Sequence, residues 1–215
     1  MTALSYIYLS FGWMAFCFVH SLFAGLRVKK IITQRLGKYS RYYRLIYSLG
    51  TLIFLALLLK YQAEKKETFL FSESLVIRMI SFILILCGSI VMGISALRYF
   101  IPVTGLSIFT KQKKGDILFD RGIHGVIRHP LYAGTLIFIW GLFLFFPFTS
   151  NLIVSIIISA YTFIGIKLEE EKLRLQFGNA YSLYCTRVPM IIPKFGLGKS
   201  KRQIVDFVKA DNMSA

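Results

Sequence analysis

The sequence predicts an all-α integral membrane protein of about five transmembrane helices with a C-terminal cytoplasmic amphipathic segment. Three observations predict it. Of 215 residues, 56% are hydrophobic and the mean hydropathy is +0.63, more apolar surface than one water-soluble core of this size can hide. Five apolar runs approach the length that crosses about 30 Å of hydrocarbon at about 1.5 Å per residue. The basic residues gather in alternate connections, as the positive-inside rule requires.

The first span is expected over residues 4–24. Residues 1–5 carry no basic n-region and the apolar run is too long for a signal-peptide core, so this helix is expected to be retained. His20 lies near its cytoplasmic end, where an ionisable group is either functional or held by a structural hydrogen bond. The next connection carries Arg27, Lys29, Lys30, Arg35, Lys38, Arg41 and Arg44 with no acid. The second span is expected over 45–61 and the third over 75–97. Between them stand Lys60, Lys65, Lys66 and Arg78 against Glu64, Glu67 and Glu73. Spans four and five are expected over 131–146 and 152–168.

This pattern puts 22 of the 26 Lys and Arg on one face and predicts the N-terminus outside and the C-terminus in the cytoplasm. The net charge of +16 therefore reads as topology, with anionic lipids as partners and no nucleic acid. Cys17 and Cys87 lie in spans and Cys185 in the tail, without a CxxC pair or a secreted disulfide pattern. Three histidines, two of them on a loop and a helix start, do not suit haem ligation. The absence of repeated halves argues against a transporter, and nothing in the pattern calls for a metal.

The last two spans are joined by "PFTSN", short enough only for an antiparallel hairpin. Pro130 stands 19 residues before Thr149 and Glu169 stands 20 after it, so each arm descends about 29 Å. "RHPLY" and "LEEEKL" are thus expected to meet at one depth, on neighbouring helices. Pro130 suits a first helical turn and His129 the entry to it. The exposed amides and positive end of that turn suit a carboxylate or phosphate, while Glu169 and Glu170 suit an ammonium. Arg128, His129 and Tyr132 add donors and flat faces. Read singly, "RHP" is a basic interfacial anchor and "EEEK" a solvated helix face. Their equal depth favours a shared zwitterion site. Tyr181 and Tyr184, at helical spacing from Phe177, read as a packing stripe.

At these residues the sequence resembles the integral-membrane methyltransferases that use S-adenosylmethionine, namely the isoprenylcysteine carboxyl methyltransferases and their phospholipid- and thiol-methylating relatives. The pattern RHPxYxG, EExxL, FGxxY and VP is matched by Arg128, His129, Pro130, Tyr132 and Gly134, by Glu169, Glu170 and Leu173, by Phe177, Gly178 and Tyr181, and by Val188 and Pro189. The resemblance covers about residues 98–193. It implies an S-adenosylmethionine site, releasing S-adenosylhomocysteine, formed by Leu118, Phe119, His129, Pro130, Tyr132, Gly134, Glu169 and Glu170, with Glu169 holding the α-ammonium. His124 or His129 would take the acceptor's proton and Arg128 would stabilise the anion, which makes Arg128 and His124 the catalytic candidates.

Two positions depart from the pattern. Gly165 stands where the prenylcysteine enzymes carry an arginine, so a carboxylate acceptor loses its counter-charge unless Lys167 supplies it. His124 stands where relatives have tyrosine. A looser resemblance of "HSLFAGLRVKK", "YYRLIYSLG" and "YTFIGIKLEEEKL" to membrane methanethiol S-methyltransferases, and to proteins associated with nitrite and nitric oxide reduction, ranks a small thiol slightly above a lipidic acceptor.

The expected organisation is a three-helix membrane region over 1–97, the methyltransferase core over 98–193 and a basic tail over 194–215 lying on the membrane surface. The loop over 98–127 is expected to lid the cofactor from the cytosol. The expected location is the inner membrane of a bacterium. The competing expectation is a non-catalytic assembly or sensor protein that keeps a degenerate cofactor pocket.

Overall fold

Helix α1, Ala3–Ala24, starts where the Thr2 hydroxyl accepts the Ser5 amide at 3.3 Å and ends at Gly25. The computed structural model describes residues 2–72, 74–104, 120 and 122–193, with the side chains of 26, 27, 38, 40, 41 and 98–104 left aside. Within these residues every regular element is helical: α2, Leu26–Leu36; a 3-10 turn, Gly37–Tyr42; α3, Tyr43–Ala63; α4, Leu75–Thr104; a second 3-10 turn, Gly122–Gly125; α5, Pro130–Phe145; and α6, Thr149–Arg187. The chain is an all-α, multi-pass membrane protein. Helices α1, α3, α4 and α6 are long and apolar enough to cross a membrane, and α5 is a shorter apolar helix.

The five expected spans coincide with α1, α3, α4, α5 and the first half of α6. Three features go beyond expectation. The basic connection after α1 is not irregular: Arg27, Lys29, Lys30 and Arg35 lie on α2, an amphipathic helix, and the remaining cations on the 3-10 turn and the start of α3. Helix α4 runs on to Thr104, so the segment expected to loop from 98 begins as helix; residues 105–119 of that loop, and the tail from 194, lie outside the described residues. Helix α6 has 39 residues and breaks at Gly178, so its first stretch, 149–177, runs about 43 Å by helical rise, longer than one bilayer. Its second half carries the expected packing stripe: Tyr181, Tyr184 and Val188 form a buried cluster with Leu173, Phe177 and Cys185 against it.

Two contacts set the frame. Helices α4 and α5 approach backbone to backbone, because Gly88 and Gly134 have no side chain to keep them apart: a Cβ at Gly88 would stand 2.7 Å from Phe138 N, and one at Gly134 2.9 Å from Met92 N. Helices α5 and α6 form the expected hairpin, tied by Trp140 Nε1 to Ser159 Oγ at 3.1 Å and by Ser155 Oγ to the Ile139 carbonyl at 3.2 Å. Across it, α1 and α3 meet α6 in a cluster around Leu9, Trp13 and Leu58, with Val154, Ile157 and Ile158 against it.

At one end of the bundle Glu67 accepts from the Tyr6 hydroxyl and from the amide of Ser150, both at 3.1 Å, and Gln62 donates to Asn151 at 2.6 Å. These bonds satisfy the start of α6 and anchor the turn of the hairpin. The ends of α1 and α4, the start of α5 and residues 169–170 of α6 therefore lie at the opposite end. Long apolar side chains such as Leu52, Ile53, Ile80, Phe82 and Ile83 point outward, the arrangement that lipid rewards and water penalises.

Candidate functional site

The site is built where α5 begins. The preceding segment turns at Gly122, whose φ of 65° lies in the left-handed region, and runs through the 3-10 turn into Arg128 and His129. Pro130, the first residue of α5, lacks the amide that a first turn would leave unpaired. The amides of Arg128 and His129 donate instead to the carbonyls of Pro189 at 2.9 Å and Met190 at 3.1 Å. The chain after α6 is thus stitched, backbone to backbone, to the entrance of α5.

Arg128 completes that stitch. Its Nη2 lies 2.7 Å from Glu170 Oε1 and its Nε donates to the same oxygen at 2.9 Å, while Nη1 donates to the carbonyls of Cys185 and Val188 at 3.0 and 2.8 Å. The guanidinium neutralises a carboxylate on one edge and caps the last carbonyls of α6 on the other. The Arg128 and Glu170 side chains are only 11% and 14% exposed. His129 Nε2 donates to Glu170 Oε1 at 3.2 Å. Burial alone would raise the Glu170 carboxyl, but the hydrogen bonds and charges of Arg128 and His129 outweigh it and hold the group below the ordinary glutamate value.

Glu169 is placed differently. Its side chain is 47% exposed and lies 3.7 Å from His129 Nδ1, and it interacts with the Tyr132 phenol. Tyr132 and His129 stand as a tilted pair with ring centroids 5.8 Å apart. The Tyr132 hydroxyl lies over Gly165, 3.6 Å from where a Cβ would be. The Tyr181 hydroxyl is buried with no oxygen or nitrogen partner among the described residues, facing Cys185 and the Arg128–Glu170 pair, and burial pushes its phenol up.

Of the residues singled out in the sequence, the fold brings together Arg128, His129, Pro130, Tyr132, Glu169 and Glu170. Gly134 faces α4 through Met92. His124 is buried, its Nδ1 at 3.3 Å from the Arg128 carbonyl and its own carbonyl accepting from the Tyr184 hydroxyl at 2.6 Å. Leu118 and Phe119 lie outside the described residues. The groups missed in the sequence are backbone carbonyls, those of Cys185, Val188, Pro189 and Met190. The Val188-Pro189 pair of the pattern was their only sign. Among the described residues no three His, Cys, Asp or Glu side chains converge as a metal site.

The chemistry of this donor set fits a zwitterionic nucleoside. A half-exposed carboxylate stands beside a helix start and two aromatic faces, while its neighbour carboxylate is already neutralised by protein.

Known proteins are similar to this chain. The phospholipid methyltransferase family model matches residues 76–180. The protein-S-isoprenylcysteine O-methyltransferase of Schizosaccharomyces pombe is 35% identical over 89 residues, 40% of this chain and 37% of that protein. Methanethiol S-methyltransferase 1 of Bradyrhizobium diazoefficiens is 34% identical over 73 residues, 33% of this chain and 24% of that protein. The methanethiol S-methyltransferase of a Pseudomonas species is 35% identical over 74 residues, 34% of this chain and 27% of that protein. The chain thus matches between about a quarter and two fifths of these relatives' length. No solved structure gives a significant match. The chain is therefore similar over residues 76–180 to the phospholipid methyltransferase family, and over part of its length to isoprenylcysteine and methanethiol methyltransferases, as the sequence pattern implied.

Proposed function

We propose that this chain is an integral-membrane methyltransferase that uses S-adenosylmethionine and methylates a small or lipophilic nucleophile, a thiol or an isoprenylcysteine-like acceptor. The observation that carries the reading is the split between two adjacent glutamates. Glu170 is consumed by Arg128 and His129, whereas Glu169 keeps nearly half its side chain exposed beside Tyr132.

In this reading Glu169 holds the α-ammonium of the cofactor, the first turn of α5 faces its carboxylate, and His129 and Tyr132 offer their rings to the remainder. When bound, the cofactor supplies an electrophilic methyl group on a positive sulfur, and in-line displacement needs the reactants held about 3 to 3.5 Å apart in a dry site. Arg128 is committed to Glu170 and to two carbonyls, and His124 to the turn. The geometry supports positioning roles for both, holding His129 and Glu169 in register. Leu118 and Phe119 are proposed to contact the cofactor, and Gly134 to set the close approach of α4 to α5.

Residues 98–193 carry these groups on the frame that α4 completes, with 1–97 supplying the neighbouring helices. The end of the bundle that holds the site also carries the basic residues of α2, which supports a cytoplasmic site, an external N-terminus and contact with anionic lipids. A bacterial inner membrane is the proposed setting, by likeness to the bacterial thiol methyltransferases.

The test supplies the purified protein in lipid nanodiscs with methyl-labelled cofactor and separate panels of thiols, prenylcysteines and phospholipids. Label is expected in a thiol or prenylcysteine. Cofactor bound tightly with no acceptor labelled would favour a sensor or assembly protein instead, and no cofactor binding would overturn the reading.

A further inference from the structure

A second polar cluster lies deeper in the bundle and takes no part in holding the cofactor. His20 of α1, Tyr47 of α3 and Tyr161 of α6 converge there. The Tyr47 hydroxyl lies 2.8 Å from His20 Nδ1 and donates to the His20 carbonyl at 2.9 Å. A phenol has one proton. Where Tyr47 gives it to the carbonyl, its oxygen accepts at Nδ1, and the neutral imidazole then carries its proton on Nδ1 and presents a bare lone pair on Nε2. No described residue hydrogen-bonds Nε2. Ser21 donates to the Tyr161 hydroxyl at 3.0 Å, which leaves the Tyr161 proton to be given elsewhere. Tyr161 stands edge-on to His20 with centroids 6.5 Å apart.

One face of α6 links this cluster to the cofactor site. Tyr161, Gly165 and Glu169 follow at intervals of four on one face of α6, about 12 Å from first to last by helical rise, and Tyr132 lies over the glycine between them. That is the span of an amino-acid arm, a methyl group and an attacking atom. The groups facing His20 are Tyr47 from α3, Tyr161 from α6 and Phe16 from its own helix, while Cys17 and Ser21 lie against Tyr161. Among the described residues no Lys, Arg, Asp or Glu interacts with it. An acceptor that arrives as an anion would find no counter-charge here, whereas a neutral acceptor with an acidic proton would find a base.

Resting on the function proposed above, we propose that His20 is the general base for a small thiol acceptor held between Tyr161 and Gly165, with Tyr47 as the positioning residue that fixes the imidazole tautomer. The S–H proton passes to Nε2. The acceptor sulfur forms its bond to the methyl carbon as the sulfonium carbon–sulfur bond breaks, that electron pair staying on the cofactor sulfur as a thioether. The imidazolium then returns its proton to water. Tyr161 donates to the thiolate while it forms.

The experiment has two readouts. Nitrogen-15 NMR of histidine-labelled protein in nanodiscs reads the tautomer without any turnover: His20 is expected as the Nδ1–H form, and to lose that preference in Tyr47→Phe. Methylation of ethanethiol is then followed against pH. His20→Gln is expected to lose about 10²- to 10⁴-fold in kcat/KM and the acidic limb of the profile, with the affinity for S-adenosylhomocysteine little changed; Tyr47→Phe is expected to lose less. An Nε2–H tautomer in the native protein, or unchanged kcat/KM in His20→Gln with cofactor bound, would overturn this inference alone. Absence of cofactor affinity in the native protein would overturn the proposed function and this inference with it.

Discussion

Arg128 Nη2 lies 2.7 Å from Glu170 Oε1, joining residues 42 apart in the chain at the open end of the α5–α6 hairpin. On the proposed function, this pair sets whether His129 and Glu169 can face one ligand. Removing one partner of a buried ion pair costs about 3–5 kcal/mol. Glu170→Ala and Arg128→Ala should each lower the Tm in nanodiscs accordingly. Arg128→Ala should cost more, because the carbonyls of Cys185 and Val188 also lose their donor. Arg128→Lys should rescue little, since an ammonium cannot serve both edges.

The same pair sets an acid limit. The folded Glu170 carboxyl is held below the ordinary glutamate value of 4.5, so the unfolded chain takes up its proton first as pH falls. The pair's contribution is complete above pH 4.5 and is lost as pH drops through the depressed folded value. Thermal unfolding from pH 7 to 3 should show this loss in the native protein, and a smaller acid sensitivity in Glu170→Gln.

Gly134 tests the frame on which α5 is mounted. A Cβ there would meet Met92 N at 2.9 Å, and backbone cannot yield as a side chain can. Gly134→Val should destabilise by about 1–3 kcal/mol as overpacking, read by thermal unfolding. Gly165→Ala should leave stability nearly unchanged, because its nearest neighbour would stand at 3.6 Å, an ordinary contact.

Gly178 marks the break in α6, with φ 53° and ψ −125°, backbone that residues with a Cβ adopt at a cost of about 1–3 kcal/mol. Gly178→Ala should lower stability within that range even though a Cβ would meet nothing within 4 Å. The same substitution at Gly93, inside α4 and equally open, should be neutral or stabilising.

What could be read in the sequence follows from the strength of each signal. Long apolar runs are local, so α1, α3 and α5 fall close to their expected bounds and α4 begins where expected. The meeting of "RHPLY" with "LEEEKL" followed from counting residues down two arms of a hairpin, and the Arg128–Glu170 contact shows that the counting sufficed. The division of labour between Glu169 and Glu170 could not be read, because it depends on which carboxylate falls under Arg128 in the folded helix. Nor could the binding of Arg128 to the carbonyls of Cys185 and Val188, since a backbone acceptor has no residue-type signature. The cytoplasmic helix after the fifth span was expected, but its continuity with that span up to Gly178 could not be read, because the apolar stripe changes partners, from lipid to the Tyr181–Tyr184 cluster. His20 stood out as an ionisable group in a span, but only the fold shows Tyr47 and Tyr161 beside it.

The central claim is that Glu169, left partly exposed while its neighbour is neutralised, holds the ammonium of a sulfonium nucleoside. Calorimetric titration of S-adenosylhomocysteine into the native protein, Glu169→Gln and Glu171→Gln in nanodiscs tests it most directly. Loss of a charge-assisted bond worth about 1.5–3 kcal/mol should weaken binding by more than about tenfold in Glu169→Gln and leave Glu171→Gln like the native protein. Equal affinity in all three would contradict the account.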